Sequence, residues 1–182
     1  MALTATMYTF DIDLSDVDRN VYESLALKVA RHPSETEAYL LTRVLAYCLE
    51  YAEGIGFSKG LADPEDPPVA VRDLTGAITA WIEIGFPDAA RVHKASKAAP
   101  RVAIYTHKEP RLLLRQWEGQ RIHRAESVEL YEVDRSLLAD LATHLDRRVK
   151  LTLSVSDGQL YVDVGGRTLH GAVTRHPLVV PG

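Results

Sequence analysis

The chain has 182 residues, 46% of them hydrophobic and 25% charged, with a net charge of −4. This composition fits one globular domain that buries a core without disulfides or a structural metal, and it argues against a disordered chain. A pI of about 6.0 argues against a basic coat that grips nucleic acid nonspecifically, but leaves room for a local patch.

Met1 to Phe10 hold no basic cluster ahead of an apolar run, which predicts neither a signal nor a transit peptide and a cytoplasmic protein with no membrane contact. Residues 4–13 alternate through Met7, Thr9, Asp11 and Tyr8, Phe10, Ile12, the period of a strand. A polar turn over 15–20 leads to a second alternating run through Leu25, Leu27 and Val29. The pair reads as an antiparallel hairpin, its second half alternatively helical. Ser34 is a candidate N-cap, with Glu37 three residues on as in a capping box and Glu35 as a dipole complement in the first turn. Leu41, Val44, Leu45, Cys48, Leu49 and Ala52 then form a helical apolar stripe that Gly54 ends. Cys48, the one cysteine, belongs to that stripe and is expected to pack as a small hydrophobe.

Phe57 to Ala62 is a candidate short strand, followed by the acidic connector Asp63-Pro64-Glu65-Asp66-Pro67-Pro68. An extended stretch over 69–73, a turn at 74–76 and a strand over 77–84 follow. A helix over 87–99 is expected, with Pro87 at its first position and Asp88 in its first turn. Next come a strand over 102–106, a helix over 110–118, a strand over 127–133 and a helix over 134–145 capped by Asp134. A strand over 149–155 meets a hairpin turn at Asp157-Gly158. Strands near 159–164 and 167–173 precede a loose tail.

The chemistry concentrates on the strand 77–84. Glu83 stands at its C-terminal end, where ligands of α/β sheets gather. If 69–73 and 77–84 pair around the turn, Glu83 faces Asp66, Pro67 and Pro68. Asp73 then sits beside the turn, roughly 20 Å away at about 3.3 Å per residue, and approaches Glu83 only by an irregular path. Arg91, Lys94 and Lys97 lie on the next helix, and Glu35 is a candidate fourth member. Two carboxylates, Asp66 and Glu83, hold Mg²⁺ or Mn²⁺ through hard oxygens, and a neighbouring lysine orients water or a phosphate. That constellation would cleave a phosphodiester. The competing reading is a structural ion-pair cluster, with Lys94 bridged to Glu83. The seven histidines are scattered, and no close pair has zinc-site spacing.

Ala30-Arg31-His32-Pro33-Ser34-Glu35-Thr36 resembles the "ARHPSET" signature of the YaeQ family, and Asp73-Leu74-Thr75-Gly76 with Trp81-Ile82-Glu83-Ile84-Gly85 and Pro87-Asp88 resembles its "DLTG…WIE-G-PD" run. Met1-Ala2-Leu3 and Asp18-Arg19 also look like it, so the resemblance covers nearly the whole chain. It implies an α/β fold with a PD-(D/E)XK nuclease-like αβββαβ core over about 34–107, a mixed sheet and extra N- and C-terminal strands, all in one domain. By position, Glu83 matches the acidic residue of the (D/E)XK motif. Gly85 stands where its lysine belongs, which moves that role to Lys94. Asp66-Pro67-Pro68 replaces the acidic-Pro-acidic run, and Glu35 matches the first-helix glutamate. The implied function is a divalent-metal-dependent nuclease-like protein without an organic cofactor. The alternative is a noncatalytic regulator, linked to transcription, that binds nucleic acid or a protein.

Overall fold

A computed structural model describes residues 4–58 and 65–178. In chain order the elements are β1 (Thr6–Asp16), β2 (Val21–Arg31), α1 (Glu37–Leu49), β3 (Ile55–Phe57), β4 (Val69–Arg72), β5 (Ile78–Ile84), α2 (Ala89–Ala98), β6 (Arg101–Thr106), α3 (Pro110–Gln116), β7 (Glu129–Val133), α4 (Arg135–Ala142), β8 (Arg148–Ser156), β9 (Gln159–Val164) and β10 (Arg167–His176). The result is a mixed α/β architecture. The chain divides into two compact units, Met1–Leu41 with Val133–Val173 and Thr42–Glu132 with Thr174–Gly182.

In the first unit the strands run β2-β1-β8-β9-β10. β1 and β2 pair antiparallel, with Phe10 opposite Leu27 and Ile12 opposite Leu25, as their alternation predicts. β8 joins β1 in parallel. Phe10, Ile12, Leu14, Leu151 and Leu153 are all buried, while the intervening Asp11, Asp13, Lys150 and Thr152 lie on the opposite side of the pleat. Asp157 and Gly158, at φ 51° and 70°, make the two-residue turn that β8 and β9 require. The Asp18 carboxylate accepts from both of their backbone N–H groups, at 2.7 and 3.0 Å. Those bonds hold its pKa below the ordinary aspartate range.

In the second unit the strands run β7-β6-β5-β4-β3. β3, β4 and β5 are antiparallel neighbours, and β6 is parallel to β5 and β7 parallel to β6. β5 and β6 are buried on both faces along most of their length, as inner strands of a parallel sheet are. α2 and α3 pack on this sheet through Val92, Ala95, Leu113 and Trp117, against Trp81, Val102, Ile104 and Leu130.

Several element boundaries differ from expectation. The first helix starts at Glu37, not beside Ser34, because Thr36 is its cap: Thr36 Oγ1 accepts from Tyr39 N at 3.0 Å. The helix ends at Leu49, and Gly54 lies beyond it at φ 91°. A Cβ on Gly54 would fall 2.0 Å from the Arg72 carbonyl oxygen, so glycine lets the chain pass beside β4. β3 starts two residues before the expected strand and shares only Phe57 with it, Ser58 is not strand, and residues 59–62 of the candidate strand lie outside the described residues. Asp88 is the cap of α2, not a first-turn residue, and accepts from Arg91 N at 2.8 Å. Pro87 therefore stands before the helix. α3 and α4 stop at Gln116 and Ala142, short of 118 and 145, although Asp134 caps α4 as expected by accepting from Ser136 N. The expected tail is strand as far as His176, whose ring lies 3.0 Å from Glu132. No helix among the described residues is long and apolar enough to cross a membrane.

Candidate functional site around Glu83

Alternation along β5 puts Trp81 and Glu83 on one face, and both are buried. The Asp88 cap begins α2 immediately after the strand and places Arg91 in its first turn. From there Arg91 Nε donates to Glu83 Oε2 at 2.8 Å, and Trp81 Nε1 donates to the same oxygen at 2.9 Å. A second guanidinium nitrogen, Nη2, donates to the Asp66 backbone carbonyl at 3.1 Å. The guanidinium also lies over the Trp81 ring, 5.7 Å from its centroid. Burial pushes the Glu83 carboxyl above the ordinary range, opposed by the charge of Arg91 and the Trp81 hydrogen bond.

The hairpin register agrees with the sequence reading. Val69 pairs with Ile82, so the stretch just before β4 faces Glu83, and Arg91 spans the gap. The side chains nevertheless take other partners. The Asp66 carboxylate faces Arg72 at 3.6 Å. Lys94 is ion-paired with Glu65. Glu35 Oε1 accepts from His32 N at 2.7 Å, and its carbonyl accepts from Arg31, so Glu35 closes the turn before α1. Asp73 accepts from the backbone of Thr75 and Ala77 and from the Thr75 hydroxyl, which commits it to the β4–β5 turn.

A divalent ion of the magnesium type needs several open oxygen ligands. Glu83 Oε2 already accepts two hydrogen bonds, one from a cation, and Asp66 turns its carboxylate to Arg72. Among the described residues, no three His, Cys, Asp or Glu side chains cluster as a metal-ligand set. In this arrangement Asp66 and Glu83 do not fit the ion. The guanidinium of Arg91 links the two residues between which the ion was expected.

A larger polar assembly in the same unit escaped the sequence reading. Arg101 donates twice to Glu50, at 2.6 and 3.0 Å, and twice to Glu129, at 2.8 and 3.1 Å. The Tyr105 hydroxyl donates to Glu50 and the Tyr131 hydroxyl to Glu129, and the two tyrosine rings stack at 4.9 Å. Arg101 and Glu129 open the parallel neighbours β6 and β7, which is the one sequence signal that could have paired them. His93 and His123, distant in sequence, also meet: His93 Nδ1 accepts from His123 N at 2.9 Å, and the rings stand edge to face at 6.3 Å. Cys48 is buried and burial pushes its thiol up to about 12, in keeping with a packing role.

Fold and site thus define a mixed α/β protein with a buried carboxylate clamped by arginine beneath a helix N-terminus. The chain belongs to the YaeQ family, whose model, described as "YaeQ protein", matches residues 1–173. It is 33% identical over 165 residues to a protein named "Uncharacterized protein YaeQ" from Escherichia coli (strain K12), covering 89% of this chain and 90% of that one. The crystal structure of YaeQ protein from Pseudomonas syringae is similar with a TM-score of 0.83 and 30% identity, over 94% of this chain and 95% of that one. The YaeQ structure from Xanthomonas axonopodis pv. citri is similar with a TM-score of 0.85 and 26% identity, over 96% and 99%.

Proposed function

We propose that this chain is a noncatalytic nucleic-acid-binding protein built on a PD-(D/E)XK nuclease-like scaffold. The scaffold reading is supported by the order α1, β3, β4, β5, α2, β6, which is αβββαβ, with the first three strands antiparallel and the last parallel to its neighbour. The noncatalytic reading rests on one observation: Arg91 holds Glu83 and the Asp66 carbonyl together. A nuclease of this type needs its carboxylates open to metal and to the water that attacks phosphorus. Here the strand carboxylate is buried and serves to fasten α2 to β5. Exposed Lys97, Arg121 and Arg124 supply the kind of cation that holds phosphate oxygens.

The test is incubation of the protein with labelled DNA and RNA in Mg²⁺ and in Mn²⁺, alongside calorimetric titration with each ion. The expected result is nucleic acid bound but uncut, no stoichiometric metal binding, and unchanged nucleic-acid affinity in Glu83→Gln. Metal-dependent cleavage that disappears in Glu83→Gln would overturn the noncatalytic reading and restore Mg²⁺-dependent hydrolysis with Asp66, Glu83 and Lys94 at the site.

A further inference from the structure

The stretch from Ala89 to Arg124 carries nine of the chain's 21 Lys and Arg but two of its 25 acidic residues, Glu109 and Glu118. Arg91, Lys94 and Arg101 are paired with Glu83, Glu65, Glu50 and Glu129 outside the stretch, and the other six cations still outnumber its two acids within a chain whose net charge is −4. Bulk composition hides this segregation. The fold keeps the remaining cations at the surface: α2 and α3 bury Val92, Ala95 and Leu113 in one cluster, while Lys97, Arg111 and Arg115 are exposed.

The loop after α3 adds to the helix charge. His123 N donates to His93 Nδ1, the Ser96 hydroxyl donates to the His123 carbonyl, and Arg124 Nη2 donates to the carbonyls of Ser96 and Ala99 at the end of α2. These bonds fasten 121–124 along α2 and hold His93, Lys97, Arg121 and His123 in one group. Partial burial, and then the charges of Lys97, Arg121 and His123, keep the His93 imidazole below its ordinary pKa. With Nδ1 already accepting, the neutral ring carries its proton on Nε2 and can donate from there. Lys97 and Arg121 are exposed, and among the described residues neither is in an ion pair. Glu118 and Glu126, also exposed, are outnumbered.

We infer that the outward face of α2 and the 121–124 loop, centred on Lys97 and Arg121, is the surface that holds the phosphate backbone of a nucleic acid. Like charges fixed together repel, and a polyanion converts that repulsion into attraction and releases its own counterions. A protein that holds nucleic acid needs a cationic surface for its phosphates, so this assignment rests on the noncatalytic binding function proposed above and gives it an interface.

The experiment is fluorescence anisotropy of the full chain with a labelled mixed-sequence duplex of about 20 base pairs and with its single strand, between about 50 and about 200 mM salt. Wild type is expected to bind in the micromolar range at low salt and to weaken steeply as salt rises. Lys97→Glu/Arg121→Glu is expected to lose about tenfold or more in affinity and to flatten the salt slope by about two, whereas Lys97→Arg/Arg121→Lys keeps both. Lys28→Glu/Lys150→Glu, exposed on the strands of the first unit, makes the same change in net charge and is expected to stay within about twofold of wild type. Equal weakening in the two charge-reversal variants overturns the assignment of this surface, as does wild-type binding by Lys97→Glu/Arg121→Glu. Competition by polyglutamate as effective as that of unlabelled DNA overturns nucleic acid as the occupant. Failure of wild type to bind either probe overturns the binding function itself, and cleavage of the probe overturns only its noncatalytic character.

Discussion

Arg91 Nε stands 2.8 Å from Glu83 Oε2, an ion pair formed across eight residues of chain with side chains 25% and 5% exposed. The same guanidinium reaches the Asp66 carbonyl and lies over Trp81, so one side chain joins strand, helix and the approach to β4. Removing ions from water is costly, and such a pair is favourable only when its remaining hydrogen-bonding groups are satisfied. Here the Trp81 indole N–H meets that condition on the carboxylate side.

Breaking this pair one partner at a time should therefore cost more than removing it whole. Arg91→Ala leaves a buried carboxylate without its cation, held by the Trp81 indole and the Ile84 backbone N–H, with an expected loss of about 3–4 kcal/mol in unfolding free energy. Glu83→Leu/Arg91→Met should recover most of that loss, giving a coupling of about 2 kcal/mol or more in a double-mutant cycle followed by urea unfolding. Additive single losses would mean that the 2.8 Å contact contributes little to stability.

The Glu50–Arg101–Glu129 assembly yields a prediction with a pH signature. Burial acts to raise the Glu129 carboxyl, but hydrogen bonds from Arg101 and Tyr131 outweigh it and hold the group below its ordinary pKa. A carboxylate depressed in the folded state contributes stability above its unfolded pKa that is lost as pH falls through the folded value. Arg101→Met removes the cation, so the burial that raises the Glu129 carboxyl is opposed mainly by Tyr131, and the ionised group no longer contributes that stability at neutral pH. The expected cost at pH 7 is about 2–3 kcal/mol, below the range for a fully buried pair because the Arg101 side chain is 38% exposed. The deficit should shrink as pH falls from about 7 to about 4. Urea unfolding of both proteins across that range measures it, and a constant deficit would exclude the mechanism.

What was legible in the sequence follows from how local each signal is. β1 and β2 could be read because Phe10, Ile12, Leu14, Leu25, Leu27 and Val29 alternate with residues on the opposite side of the pleat. Asp157-Gly158 could be read because few residues tolerate two consecutive positive φ angles. The start of α1 could not, because Ser34, Glu35 and Thr36 all offer cap-forming oxygens. The choice falls to Thr36 once the His32 backbone N–H takes the Glu35 carboxylate. Glu83 stood out as a strand-end carboxylate in need of a partner. The sequence favoured Lys94 over Arg91 by analogy with a metal-site lysine, but the Asp88 cap sets the helix so that Arg91 reaches Glu83 and Lys94 reaches Glu65. The Arg101 assembly joins groups 51 and 28 positions apart, where no periodicity or motif operates.

His107 follows β6 and is buried. Burial, and then the neighbouring charge of Lys108, lower its pKa to about 4. The unfolded chain, with an ordinary histidine pKa near 6.5, binds this proton more readily than the folded one. The resulting stability is complete above the unfolded pKa and drains away as pH falls from about 6.5 toward 4, with a limiting slope of about 1.4 kcal/mol per pH unit for one proton. His107→Gln has no such proton to take up, so its unfolding free energy should fall less steeply across that window. His93, also held below its ordinary value, remains in both proteins and cancels in the comparison. Urea unfolding of wild type and variant at half-unit pH steps reads the difference. The gap between them should narrow on acidification even if His107→Gln is the less stable protein at pH 7, and parallel curves would place the acid sensitivity of the fold elsewhere.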